Sequence, residues 1–252
     1  MRSDKRIKAV LFDFDDTLIT WEHAEYSWIE YNRPRWATIH DFFTADGHTL
    51  PNKDDFAHTI QLCMRRQWEE ALPVWGSASF IDGLVEALAE MGVGRDLYDL
   101  DHLLELYNWQ PVPGVKPFDD THAVLTELKA RGYQIGLITN AFQPMWMRDI
   151  ELNAFDLMKY IDARITSGDT RFMKPHPAIY WRMLGLLNLM PQDAVFVGDR
   201  PDQDILGAHN VDMTSVLIEP PHLNRDRQGI EATFTIKTLT ELLPILDRLE
   251  DA

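Results

Sequence analysis

Ile7-Lys8-Ala9-Val10-Leu11-Phe12-Asp13-Phe14-Asp15-Asp16-Thr17 sets a short apolar run directly against a cluster of acids. A run this short, with little polar alternation, reads as a strand buried on both faces, the habit of a parallel sheet. Similar runs recur at 133–139, 163–166, 194–198 and 214–218, and 232–236 adds a final strand. Helix-period segments lie between them at 119–131, 144–152, 177–189 and 203–210. Strand and helix alternate, as in a doubly wound α/β fold. A closing helix is expected over 238–249, with Thr238 as N-cap and Glu241 completing a capping box.

Residues 20–112 break this rhythm. They hold helix-like stretches at 22–31, 35–43, 54–71, 80–91 and 97–109, with no convincing strand between them. Pro111, Pro113 and Gly114 mark the return to the α/β pattern. The division that follows is a core of 1–19 and 113–252 with an all-helical insertion at 20–112, hinged near 19–21 and 111–114. Trp21, Trp28, Trp36, Trp68, Trp75 and Trp109 all fall in the insertion. Such rings usually build the small core of a helical module, though they can also stack on a base or sugar. Arg33, Arg35, Arg65 and Arg66 are expected on solvated surface, with contact to an anionic substrate as the alternative.

The 252 residues carry a formal net charge of −16, with 45% hydrophobic and 25% charged residues. Those proportions are ordinary for a soluble globular protein. The acidity argues against a nucleic-acid or anionic-membrane partner. An anionic substrate is compatible with it only if a cation and a few local Lys or Arg residues reverse the sign inside the site. Cys63 is the one cysteine of the sequence, which suits a reducing cytoplasm. The N-terminal stretch lacks the pattern of a secretory signal, and no apolar run reaches membrane-spanning length.

Ligands of an open parallel sheet bind outside the carboxyl ends of its strands. Four segments sit at such ends or in loops before helices: 13–17, Thr139-Asn140, Lys174 in Lys174-Pro175-His176-Pro177, and 198–204. Asp13 and Asp15, two apart at a strand end, leave on the same side if extended geometry persists. They repel unless one is protonated or a cation lies between them, and magnesium, a hard ion taking oxygen ligands, suits the pair. A carboxylate can attack phosphorus while a second moves protons, although two solvated loop acids are the common fate of Asp-x-Asp. The Thr139 hydroxyl can bind a phosphoryl oxygen, but Thr139-Asn140 taken alone reads better as a helix cap. Lys174, on a proline-stiffened loop, can neutralise a transferring phosphoryl group, or be an ordinary surface lysine. Asp199, after Gly198, is placed to reach a metal; Asp204 is placed likewise, or serves only the dipole of the following helix.

In order and spacing these four segments resemble the phosphatase branch of the haloacid dehalogenase-like hydrolase superfamily, over about 7–20 and 110–220. The resemblance implies a Rossmann-like core with a helical cap at 20–112, and hydrolysis of a small phosphorylated metabolite through an aspartyl-phosphate with Mg²⁺ as cofactor. It implies Asp13 as nucleophile and metal ligand, and Asp15 as acid/base that also ligates the metal through its backbone carbonyl. Thr17 would help hold the turn. Thr139 and Lys174 would bind the phosphoryl group, Asn140 would contact substrate, and Asp199 and Asp204 would complete the metal site. Arg200 departs from the Ser or Asn usual after Gly-Asp; Arg171 matches no motif position, and Asp202 is a spare acid. Dehalogenation on the same scaffold is an alternative, but those enzymes lack the second aspartate, so Asp15 argues against it. A phosphomutase and a non-catalytic phosphate-binding module are further alternatives; the intact motifs weaken the latter.

Overall fold

A computed structural model of the chain describes residues 6–251, so residues 1–5 of the expected core segment 1–19, and Ala252, lie outside the described residues. The elements run β1 (Ala9–Phe12), β2 (Ile19–Thr20), α1 (Trp28–Ala45), α2 (Lys53–Ala71), α3 (Phe80–Glu90), α4 (Leu100–Tyr107), β3 (Lys116–Pro117), α5 (Thr121–Ala130), β4 (Gln134–Thr139), α6 (Met145–Ala154), β5 (Ala163–Thr166), α7 (Pro177–Leu187), β6 (Ala194–Gly198), α8 (Leu206–His209), β7 (Thr214–Ile218), β8 (Phe234–Ile236) and α9 (Leu242–Asp251). Six strands form one parallel sheet in the order β5-β4-β1-β6-β7-β8. From β1 the chain winds outward through β4 and β5, then returns beyond β1 to build β6, β7 and β8. The crevice between β1, β4 and β6 is therefore the topological switch point, where such folds bind ligands. Register sets Phe12 beside both Leu137 and Val197, so the three strands end at one level.

β1 is buried on both faces, as its composition requires. Val10 and Phe12 join one apolar cluster, while Ala9 and Leu11 join the other against α7. The first cluster continues into the insertion, where Trp36 lies 5.6 Å from Phe80 and 4.6 Å from Tyr107 between ring centroids. Burying each such side chain contributes roughly 1.5–3 kcal/mol.

Several local expectations are corrected. The stretches 22–31 and 35–43 are one helix, α1. The Ser27 hydroxyl accepts the Glu30 N–H at 3.2 Å while the Glu30 carboxylate accepts the Ser27 N–H at 2.9 Å, and this capping box starts the helix at Trp28. Pro34 lies inside it. The expected helix at 97–109 shortens to α4 because the Asp99 carboxylate caps the Asp101 N–H. Residues 203–210 open as a wide π turn, Pro201–Ile205, before α8. No capping box forms at Thr238. Its side chain caps no backbone N–H, and α9 is preceded by a tight turn, Leu239–Glu241. Asp120 supplies the cap from outside, accepting the Thr240 N–H at 2.8 Å.

The insertion borders also hold an element hidden by the breaker residues. β2 and β3 pair antiparallel, Ile19 against Pro117 and Thr20 against Lys116, and so tie the outgoing and returning chains together. Gly114 has φ +84°, and a Cβ there would sit 1.9 Å from the His23 carbonyl oxygen, so only glycine lets the two chains pass. Among the described residues no helix is long and apolar enough to cross a membrane.

Candidate active site

Asp13 continues β1, its N–H donating to the Val197 carbonyl at 2.9 Å. Lys174 reaches it from the loop before α7. Its Nζ stands 2.6 Å from Asp13 Oδ1 and 2.7 Å from Asp204 Oδ1, and the whole side chain is buried. Asn140 holds that loop. Its Oδ1 accepts the Lys174 N–H at 2.8 Å, while its Nδ2 donates to the Lys174 carbonyl and to Gln203 Oε1, both at 2.9 Å. The Asn140 amide therefore braces the lysine, although the residue also lines the cleft. Asp204 sits within the π turn, accepting the Arg200 N–H at 2.9 Å, and not at a free helix terminus. Gly198 is needed for that approach, because a Cβ would lie 2.3 Å from the Asp204 carboxylate.

Asp13, Asp199 and Asp204 bring one carboxylate oxygen each to within 4.8 Å of one another. Asp199 Oδ1 is buried with no hydrogen-bond partner. Burial pushes Asp13 up to about 7, with Lys174 opposing and Asp204 and Asp15 adding to the rise. Burial pushes Asp199 up to about 8, with Asp13 and Asp204 adding and Arg225 opposing. Three crowded oxygen donors, one of them orphaned, fit a hard divalent cation.

Between the unfolded value of 3.8 and the folded values of about 7 and 8, the native state holds more protons than the unfolded chain. These two groups therefore favour folding at low pH, and that stability is lost as pH rises through 7 to 8. A cation that needs ionised ligands reverses the loss. Thermal melts are expected to show a larger Mg²⁺ stabilisation at pH 8.5 than at pH 5.5, reaching about 5–10 °C at 100 times Kd. An equal shift at both pH values would count against these carboxylates as the ligands.

Asp15 stands in a different environment. Trp21 Nε1 donates to its Oδ1 at 2.9 Å and Arg148 Nη2 to its Oδ2 at 2.5 Å; the Thr139 hydroxyl faces Oδ2 at 3.5 Å. Burial pushes the Asp15 carboxyl up, but the Arg148 charge and hydrogen bond, with help from Trp21, hold it below the usual range. Arg148 is itself buried. Its Nη1 lies 2.8 Å from Glu151, and its guanidinium covers the Phe14 ring at 4.6 Å. Burial raises Glu151 to about 7 against the pull of Arg148. Removing the arginine strands two carboxylates, so Arg148→Met is expected to cost about 3–5 kcal/mol in urea unfolding. A loss under about 1 kcal/mol would show that the triad does not hold the site together.

Further residues that sequence reasoning missed close the other side. Arg225, after β7, contacts Asp199 and lies 3.2 Å from Asp16; His222 stands 3.7 Å from Asp16 and 3.6 Å from Glu22. Asp16 adopts φ +57°, a left-handed turn position that Asp tolerates better than most residues. The Thr17 hydroxyl is buried without a partner, so it does not hold this turn as expected; the backbone does, through Thr17 and Leu18 N–H groups to the Phe14 carbonyl. Among the missed residues, only Arg148 and Glu151 left a signal: charges three apart on the helix face that also buries Met147 and Leu152.

The cleft over these acids measures about 540 Å³. Arg200 lines it, with Nε 3.6 Å from Asp202. Trp21, Trp28 and Trp68 line it too, whereas Trp36 and Trp109 form the expected core of the insertion. Arg33 and Arg66 pair with acids of the insertion, Arg35 stacks on Tyr31, and Arg171 borders a separate groove.

A family model described as haloacid dehalogenase-like hydrolase matches residues 7–212. The chain is 29% identical to a glyceraldehyde 3-phosphate phosphatase of Pyrococcus furiosus, over 97% of this chain and 95% of that protein. It is 26% identical to the pyrophosphatase PpaX of Bacillus cereus, over 97% and 98%. The crystal structure of an HAD phosphatase from Thermococcus onnurineus superposes with a TM-score of 0.60 at 27% identity, covering 95% of this chain and 98% of that one. With two aspartates at the end of β1 and a match across most of its length, the chain belongs to the haloacid dehalogenase-like hydrolase family, in its phosphatase branch.

Proposed function

We propose that the protein hydrolyses a small phosphorylated metabolite, a phosphate monoester, through an aspartyl-phosphate, with Mg²⁺ as cofactor. The observation that carries this reading is the contrast between two aspartates two residues apart. Asp13 lies against Lys174 beside two further acids and is raised to about 7, whereas Asp15 is turned to Arg148 and Trp21 and lowered. Asp13, inside the acid cluster, needs a cation to stay ionised as the nucleophile, while Asp15, outside that cluster and on the cleft, is left to move protons.

Asp13, Asp199, Asp204 and the Asp15 backbone carbonyl would hold Mg²⁺, which when bound neutralises the carboxylates and the phosphoryl oxygens. The chain's residues account for the rest. An Asp13 oxygen attacks phosphorus as the bond to the leaving oxygen breaks. Lys174 and the Thr139 hydroxyl stabilise the charge spread over the phosphoryl oxygens. Asp15 delivers a proton to the leaving oxygen. Since Arg148 keeps Asp15 ionised beforehand, that proton arrives with the monoanionic ester, whose second pKa is about 6. Asp15 then takes a proton from water, the water oxygen attacks phosphorus, and the bond to Asp13 breaks, freeing phosphate. Asn140 acts chiefly by fixing Lys174.

Residues 20–112 are proposed as a cap domain over a core of 1–19 and 113–252, selecting the leaving group and excluding water on closure. The lone Cys63 suits a reducing compartment, and the cytoplasm is the proposed setting.

The test is phosphate release across a panel of phosphorylated metabolites. With Mg²⁺, at least one ester should turn over; EDTA should reduce release to background, and added Mg²⁺ should restore it. Full turnover in metal-free enzyme would overturn the metal assignment and revive the dehalogenase alternative.

A further inference from the structure

We infer that the leaving group of the substrate carries a flat aromatic ring, a nucleoside-like alcohol, which stacks in a slot on the open faces of Trp28 and of the packed pair Trp68 and Phe142; this rests on the phosphatase reading. Trp68 and Phe142 stand 4.8 Å apart between ring centroids, tilted at 47°. Both, like Trp28, are only half-buried, so part of each ring faces open space. All three line the cleft that holds Asp13 and Asp15. The same three also line a second groove of about 240 Å³, together with Gln61, Met64 and Arg65. A phosphoryl group at Asp13 thus leaves its alcohol pointing along a path walled by aromatic faces.

Size supports a ring. A cleft of about 540 Å³ lies within the range that encloses drug-sized ligands of about 300–1,000 Å³, and a three-carbon phosphate leaves much of it unfilled. Chemistry points the same way. Large aromatic rings kept half-open beside reacting groups gain by stacking on another π face. The Gln61 amide offers both donor and acceptor for the polar edge of a heterocycle. The first wall, Trp28, starts α1 at the capping box, and the second, Trp68, lies on α2, so both ride on the insertion. Phe142 belongs to the core, where its carbonyl accepts the Phe80 N–H at 2.9 Å. The slot therefore exists only where insertion and core meet.

The experiment compares kcat/KM for AMP, benzyl phosphate, glyceraldehyde 3-phosphate and phosphoglycolate in wild type and in Trp68→Leu and Trp28→Leu. Wild type should prefer the ring esters by at least tenfold. Stacking on one aromatic side chain implies that each variant lowers the ring-to-ringless ratio by about 5- to 100-fold. AMP above benzyl phosphate would assign the slot to heterocycles, and parity would assign it to any flat ring. A preference for the three- or two-carbon ester, or variants that lower all four substrates alike, overturns the inference. Quenching of tryptophan fluorescence by adenosine, which has no phosphate, separates the two readings. If no ester turns over, the phosphatase reading fails. Saturable quenching weakened in Trp68→Leu then still upholds the ring slot, and absence of quenching refutes it. The wild-type panel and the quench require no variant to fold.

Discussion

Asp13→Asn is expected to abolish phosphoenzyme formation and to lower kcat by on the order of 10⁴-fold or more, the scale seen when a nucleophile is removed from a concerted site. The amide keeps the size and an oxygen for the Lys174 ammonium, which stands 2.6 Å from Asp13 Oδ1. The fold should therefore survive, and circular dichroism and a cooperative melt check this. Relief of crowding sharpens the test. Asp13 is raised to about 7 by burial and by Asp204 and Asp15, so in the metal-free protein its ionisation opposes folding above neutral pH. The variant cannot ionise there. It should lose less stability than wild type between pH 5.5 and 8.5 without metal, while binding Mg²⁺ more weakly. Rapid acid quench of radiolabelled substrate reads the covalent intermediate. A labelled Asn variant with unimpaired turnover would move the nucleophile elsewhere.

The second large effect concerns Asp15, and its signature is a dependence on leaving group. Asp15→Asn keeps the backbone carbonyl and an acceptor for Trp21, whose indole N–H lies 2.9 Å away, but removes the carboxylate that relays the proton. Both leaving-group protonation and water activation are lost. General acid–base catalysis is worth about 10²–10⁴-fold, so single-turnover hydrolysis of an alkyl ester should fall by that much. An aryl ester such as p-nitrophenyl phosphate leaves as a stabilised anion and scarcely needs the proton in the first step. Its phosphoenzyme should therefore form at a rate much closer to wild type, then persist because water is no longer activated. A burst of p-nitrophenol followed by a slow phase is the expected trace. Equal losses on both esters, with phosphoenzyme formation limiting in each, would remove Asp15 from the acid role.

Sequence and structure contributed unequally to this site. The segments at 13–17, 139–140, 174 and 198–204 were legible because each is local: three stand where an apolar run ends in polar side chains, and Lys174 stands in a proline-stiffened loop just before a helix. Parallel pairing then needs only to align the ends, and the register of Phe12 with Leu137 and Val197 does so. Arg148 and Glu151 were not legible as site residues, because α6 carries them in from beyond the strand end and only burial beside Phe14 gives them a role. Arg225 was hidden for the same reason. Its loop lies 209 residues from Asp16 along the chain, and no spacing rule joins them.

The sequence by itself determined the α/β alternation and the run of helices after the first strand, and it nominated seven candidate site residues, since periodicity, breakers and strand ends are properties of short stretches. Only the tertiary structure decided which aspartate meets Lys174 and which meets Arg148, and that Asn140 serves as a brace. It also decided which tryptophans became core and which became wall. Trp36 is fully buried, whereas Trp28 and Trp68 keep part of their faces open. Nothing local separates these rings. The physical reason is that environment, and with it protonation, solvation and accessible face, is a sum over neighbours brought together by packing, and those neighbours lie far apart in the chain.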